Sequence, residues 1–153
     1  MWNINLKPSD RLHEWKTFRG QISDLALPKA IERTNHLWSY APFVNYYLSP
    51  ARDPEWPDPW TLLHENYYCD VAKGLGILYT LLLSKHYQNT ITQLELRIYQ
   101  DPKTREPYNT VWVNDGEFIL NLTFDTVEDK IQIDKDLVLK YCYSVQDLKL
   151  QLD

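Results

Sequence analysis

Apolar positions along the chain change period once, from helical to alternating. Ser9-Asp10 can cap a helix in which Leu12, Trp15 and Phe18 recur at helical spacing, with Gly20 as its stop. A second helix is predicted from about Pro28, its face made by Ala30, Ile31, Thr34 and Leu37-Trp38, ending before "SYAPF". The next stretch, "VNYYLSPARDPEWPDPW", carries Pro50, Pro54, Pro57 and Pro59. Prolines at that density forbid a regular helix or a central strand, so an ordered loop pinned by Trp56 and Trp60 is predicted.

Asp58 suits a cap and Pro59 a first helical position for the run that follows. Its apolar set, Leu62, Leu63, Tyr67, Ala72, Leu75, Ile77, Leu78, Leu81 and Leu82, is too dense for a surface helix. A buried central helix is predicted, with a break near Asn66 to Cys69. Gly74 and Gly76 lower helix propensity, and close approach of a neighbouring backbone is their expected use. They do not make a phosphate loop, because no strand precedes them.

After His86 the period is two. Leu94, Leu96 and Ile98 alternate with Gln93, Glu95 and Arg97, "DPKTREP" supplies a turn, and Asp115-Gly116 is a hairpin signal between "NTVWVN" and "EFILNLTF". A further alternating run, "DLVLKYCYSV", precedes a short amphipathic end, "QDLKLQL". The fold class expected is α+β, a helical N-terminal half whose buried central helix packs on a small antiparallel sheet. One domain is expected over 1–153: helices and the proline and aromatic loop in 1–57, a helix-plus-hairpin core in 58–124, and a C-terminal strand with a short helix in 125–153.

A chain of 153 residues with 44% hydrophobic and 24% charged content matches one globular domain. No stretch approaches a membrane span and no leader pattern opens the chain, so a cytoplasmic protein is expected, without membrane contact. Sixteen basic against twenty-one acidic residues, interspersed, give a charge of −5 and argue against nucleic acid as a partner. Two cysteines far apart form no metal pattern with the four histidines, and neither metal nor cofactor is expected. Six Trp and eleven Tyr are the compositional oddity, fitting a Tyr-rich core, a docking surface, or both.

Cys69 opens the central helix, where the positive end of the helix dipole favours thiolate. The run "CDVAKGLGILYTLLLSKH" followed by "LELRIY" and "TVWVNDGEFILNLT" resembles the core of transglutaminase-like domains, relatives of the papain-like fold. The resemblance covers about residues 58 to 124. It implies a catalytic Cys opening a helix, a His on one strand of the hairpin and an Asp near the end of the next. Carried over by position, these fall on Cys69, Thr110 and Asn121, and a shift of one residue replaces Thr110 by Asn109.

The triad so implied is degenerate. Neither Thr110 nor Asn109 can act as a base near neutral pH, and Asn121 cannot stabilise an imidazolium as a carboxylate does. His64 lies roughly 140° around a continuous helix from Cys69, and His86 lies roughly 25 Å along the axis. Packing as a small hydrophobe is the expectation for Cys69 and more so for Cys142, between Tyr141 and Tyr143. The four histidines are expected to face solvent or to make single hydrogen bonds. Glu65 and Asp70, near Cys69, are expected to serve the helix dipole rather than to act as a carboxylate pair.

In overall texture the chain also resembles small proteins of tailed bacteriophages, which implies a virion or assembly component, or a protein binding a host factor. The function expected is therefore a non-catalytic structural or protein-interaction component, in the cytoplasm or in a virion. A peptidase, amidase or acyltransferase using Cys69 is the alternative. The partner expected is another protein or a second copy of the chain, docked on the loop Asn45 to Trp60 through Tyr46, Tyr47, Trp56 and Trp60, with the prolines limiting the entropy lost on docking.

Overall fold

Prolines open three of the helices. In the computed structural model, which describes residues 1–148, Pro8, Pro28 and Pro59 occupy the first turns of α1 (Pro8–Ser23), α2 (Leu27–Ser39) and α3 (Pro59–Glu65), where a missing N–H leaves no bond unmade. The Asp58 carboxylate caps α3 by accepting from the Thr61 amide at 2.8 Å. α1 starts one residue ahead of Ser9 and runs through Gly20, because Pro8 already supplies a helical φ and Gly20 keeps a helical conformation. The proline-rich segment forms a single 3₁₀ turn at Asp53–Glu55.

α3 ends at Asn66, which turns the chain at φ 58°, and the extended residues after it are held by two backbone bonds. Tyr68 donates to the Pro42 carbonyl at 2.9 Å and accepts from the Val44 amide at 3.1 Å. The chain then enters α4 (Asp70–Leu82), so the break expected near Asn66 to Cys69 is real. Tyr67, expected on the helix's buried face, lies in this break and is exposed. Every α4 residue from Val71 on is buried except Lys73.

The sheet is antiparallel in the order β4-β3-β2-β1-β5: β1 (Leu94–Gln100), β2 (Pro107–Val113), β3 (Phe118–Thr123), β4 (Thr126–Glu128) and β5 (Val138–Ser144). This is the α+β arrangement that the change of period predicts. Asp115 and Gly116, both at positive φ, turn β2 into β3 with the Glu117 amide donating to the Asn114 carbonyl at 3.3 Å. The short helix expected at the C-terminus falls partly on 145–148, which form a turn, and otherwise outside the described residues.

Leu75, Leu78 and Leu82 of α4 share one core with Leu94, Leu96, Ile98, Val111, Val113 and Leu120 of the sheet. The indoles of Trp15 and Trp38 each donate to the Thr80 hydroxyl at 3.0 Å, and that hydroxyl donates to the Gly76 carbonyl at 2.6 Å. Three helices thus meet on one saturated side chain. Gly76 lies under the Trp38 ring, which a Cβ there would overlap, so this glycine serves a side chain rather than a backbone.

Alternation sends Tyr99, Trp112 and Ile119 to the opposite sheet face, where Ile133 and Leu137 pack on them. Cys142 belongs to this second face and is exposed, not core. Its thiol donates to Glu95 at 3.1 Å, beside Arg97, which lies over the Trp112 ring. His86 is another departure: it is buried, with Nε2 donating to the Ile22 carbonyl at 2.8 Å and Nδ1 2.7 Å from the Thr90 hydroxyl. A carbonyl can only accept, so Nε2 carries the proton of the first bond. No helix among the described residues is long and apolar enough to cross a membrane.

Candidate functional site

Cys69 is the residue before α4, 2% exposed, with a side chain that caps nothing and a carbonyl that accepts from the Lys73 amide at 2.9 Å. It lines a small cavity of about 100 Å³ together with Phe43, Tyr46, Pro50, Val71 and Asn109. A larger, open cavity of about 500 Å³ shares Asp70, Pro107 and Asn109 with it and extends past Lys73, Asn121 and Phe124. The two form one cleft across the start of α4.

Strand alternation decides which residue of β2 faces this cleft. Val111 and Val113 point to the helices, so Asn109 does too, and Thr110 points to the other face. There the Thr110 hydroxyl donates to the Arg97 carbonyl at 2.7 Å and accepts from the Trp112 indole at 3.0 Å. The placement of Thr110 beside Cys69 is therefore corrected by one residue, to Asn109.

Asn121 sits at φ 63°, which turns it inward beside Asn109. Its amide nitrogen Nδ2 donates to the Asn109 carbonyl at 2.8 Å and approaches the Asp70 carbonyl at 3.4 Å, and its backbone N–H donates to Asn35 Oδ1 of α2 at 3.1 Å. One residue thus joins α2, α4, β2 and β3. Gly74 permits the contact between α4 and β2: a Cβ there would stand 3.2 Å from the Asn109 carbonyl and 2.9 Å from Leu96. Asn109 itself is 3% exposed, and its Oδ1 has no hydrogen-bond partner among the described residues.

Charge in the cleft is mixed. Lys73 donates to the Ser39 carbonyl at 3.3 Å and lies 5.7 Å from the Phe43 ring centre. Burial pulls its ammonium below the usual range, opposed by the negative charge of Asp70. Asp70 and Glu106 are exposed carboxylates at the rim. Glu65 does not pair with Asp70; it accepts from the Tyr47 hydroxyl at 2.9 Å. Burial first, then this bond and the carboxylate's charge, push the Tyr47 phenol well above its ordinary value.

Of the four aromatic anchors in the proline-rich loop, Tyr46 lines the cleft. Tyr47 is tied to the end of α3 through Glu65 and the Tyr67 carbonyl. Trp56 is half-buried, donates to the Ser49 carbonyl at 2.8 Å and meets Tyr143 edge-on at 4.9 Å, so it covers the core beside β5. Trp60 lies against Trp15 of α1 at 5.8 Å. Sequence reasoning did not single out Phe43, Lys73 or Phe124. The positive φ of Asn121 and Asp125 turns β3 so that Phe124 reaches the cleft, and no hydrophobic period announces that.

Among the described residues no histidine lines either cavity of the cleft: His64 is exposed on α3, and His86 is buried beyond the opposite end of α4. No family model matches the chain, and no curated protein matches it in sequence.

Proposed function

We propose that the protein is a non-catalytic structural or interaction component, built on a transglutaminase-like scaffold whose thiol site has lost its acid–base partners. The observation that carries this reading is that Cys69 shares its cavity with the neutral carboxamide Asn109, to whose carbonyl Asn121 is bonded, where the resemblance would have a base and the group that orients it. A carboxamide neither accepts a proton near neutral pH nor stabilises an imidazolium. The aromatic rim of Phe43, Tyr46 and Phe124 supports binding instead, since exposed rings of this size are the residues that anchor partners. The texture shared with tailed-phage proteins suits a virion or assembly role in which binding is the whole task.

A hydrolase or acyltransferase acting through Cys69 has in its favour the free helix start at that residue. The test is to restore what is missing. In Asn109→His the imidazole faces Cys69, and alkylation of that thiol becomes measurable in the native state near neutral pH while Asn109 itself supports none. If the wild-type protein already alkylates at Cys69 as fast as the histidine variant, the non-catalytic reading fails.

A further inference from the structure

We propose that the open aromatic face beside the start of α4 docks a basic, arginine-bearing segment of a partner protein, which lies over Phe43, Tyr46 and Phe124 and continues across the β3–β4 turn into an acidic groove against α2. The proposal deepens the interaction role given above and rests on it.

Aromatic exposure is the first observation. Tyr40, Phe43, Tyr46 and Phe124 each keep about half or more of their surface open, although apolar rings are ordinarily covered. Phe43 and Tyr46 line the small cavity and Phe124 the larger one, with Tyr40 edge-on to Phe124 at 5.2 Å between ring centres. An open apolar face rimmed by polar groups is the mark of a docking surface.

Charge then says what covers it. Asp70 and Glu106 line the larger cavity against one cation, Lys73, whose ammonium is already turned to the Ser39 carbonyl. Asp70 spends part of its charge on the α4 dipole, so the negative surplus there is small. It grows across the turn. Asp125 follows Phe124 in the chain, about 3.8 Å further on between Cα atoms. With Glu32, Glu117, Glu128 and Asp129 it lines an open groove of about 480 Å³, and no lysine or arginine among the described residues lines that groove. Arg33 and His36 flank it beside Glu32 and Asp125. Lys29 pairs with Glu32 and His36 with Asp125, which leaves Glu117, Glu128 and Asp129 without an ion pair among the described residues. Positive charge is the complement of the whole path, and a second copy of this chain, at −5 with its bases interspersed, does not supply it.

The rings select arginine among cations. A guanidinium is planar and weakly hydrated, stacks on aromatic faces and forks two N–H bonds onto a carboxylate. The fold uses this contact itself: Arg97 lies 4.1 Å from the Trp112 ring centre and donates to Glu95 at 2.9 Å, and Arg19 lies 4.2 Å from the Trp15 ring centre. Ring and carboxylates side by side recur in the cleft, where Phe124, Asp70 and Glu106 line one cavity.

Fluorescence anisotropy on the full chain tests this with labelled octapeptides that carry arginine, lysine or glutamate at the same alternate positions among glycines, at about 50 mM and about 300 mM salt. The arginine peptide binds with a micromolar Kd at the lower salt, several-fold tighter than the lysine peptide, and weakens at the higher; the glutamate peptide does not bind. Phe124→Ala, at an exposed position, weakens the arginine peptide roughly fivefold with an unchanged melting temperature, and Tyr46→Ala takes its place if that variant does not fold. The double variant Glu117→Gln, Glu128→Gln weakens it too, whereas Asp10→Asn, exposed on α1 and lining neither the cleft nor the groove, leaves it unchanged. No binding of the arginine peptide, lysine binding as tight and indifferent to Phe124→Ala, or an equal loss in Asp10→Asn overturns the proposal. So does a dimer in sedimentation that Phe124→Ala dissociates, since a second copy then covers the face. Labelling of Cys69 is read in the same protein: an unreactive thiol with no peptide bound leaves the non-catalytic reading intact, whereas a reactive thiol with the peptide bound overturns that reading and not the docking surface.

Discussion

The side-chain amide of Asn121 donates to the backbone carbonyl of Asn109 at 2.8 Å. This bond ties β3 to β2 under the start of α4, and it fixes Asn121 as a fastener.

Asn121→Ala loses that bond and places a β-carbon residue at φ 63° without the local hydrogen bonding that lets asparagine adopt it. A loss of about 1 to 3 kcal/mol in urea unfolding is expected. Asn121→Gly keeps the backbone conformation and loses less. Equal losses in the two variants would mean that the positive φ carries no weight.

Two glycines on helices respond to alanine with opposite signs. Gly76→Ala drives a methyl group into the Trp38 ring and costs about 1 to 3 kcal/mol. Gly20→Ala meets nothing within 4 Å and lies inside α1, so it stabilises by about 0.5 to 1 kcal/mol. Thermal unfolding of the two single variants reads both signs.

Cys142 is exposed yet is expected to react slowly. Partial burial, then the hydrogen bond to Glu95 and that carboxylate's charge, push its thiol from 9.0 up to about 11. Glu95→Gln removes the charge and speeds alkylation of Cys142 at about pH 9, which mass spectrometry of labelled peptides follows.

The same Glu95 gives an acid-dependent term. Burial alone would raise its carboxyl, but bonds from Cys142, Arg97 and Gln93 and the charge of Arg97 hold it below its usual 4.5. A carboxyl depressed in the folded state contributes stability that is complete above the unfolded value and is lost as pH falls through the folded one. Wild type therefore loses stability below about pH 4.5 more steeply than Glu95→Gln, as urea midpoints across that range would show.

Much of the fold was legible because local rules and tertiary packing agree. The alternation of Leu94, Leu96 and Ile98 matches the core face of β1, and Asp115-Gly116 turns the hairpin as its dihedral demands require. Cys142 was misplaced because alternation assigns faces but not which face is buried, and β5 lies at the sheet's edge. His86 was misplaced because one of its partners, the Ile22 carbonyl, is distant in sequence and becomes a neighbour only on folding. At the candidate site, Cys69 at the helix start was readable from composition and caps. The choice between Asn109 and Thr110 depends on strand register, and a shift of one residue exchanges the faces. Phe43 and Phe124 reach the cleft from loops, where periodicity carries no signal.

The most direct test of the central claim is alkylation of the native wild-type protein with iodoacetamide from about pH 6 to about pH 8, with Cys69 followed by peptide mass spectrometry. Buried at 2% exposure and sharing its cavity with the Asn109 carboxamide rather than a base, Cys69 is expected to stay unlabelled until denaturant unfolds the chain. Rapid, stoichiometric labelling of Cys69 in the folded protein at the acid end of that range would contradict the account and identify a working nucleophile.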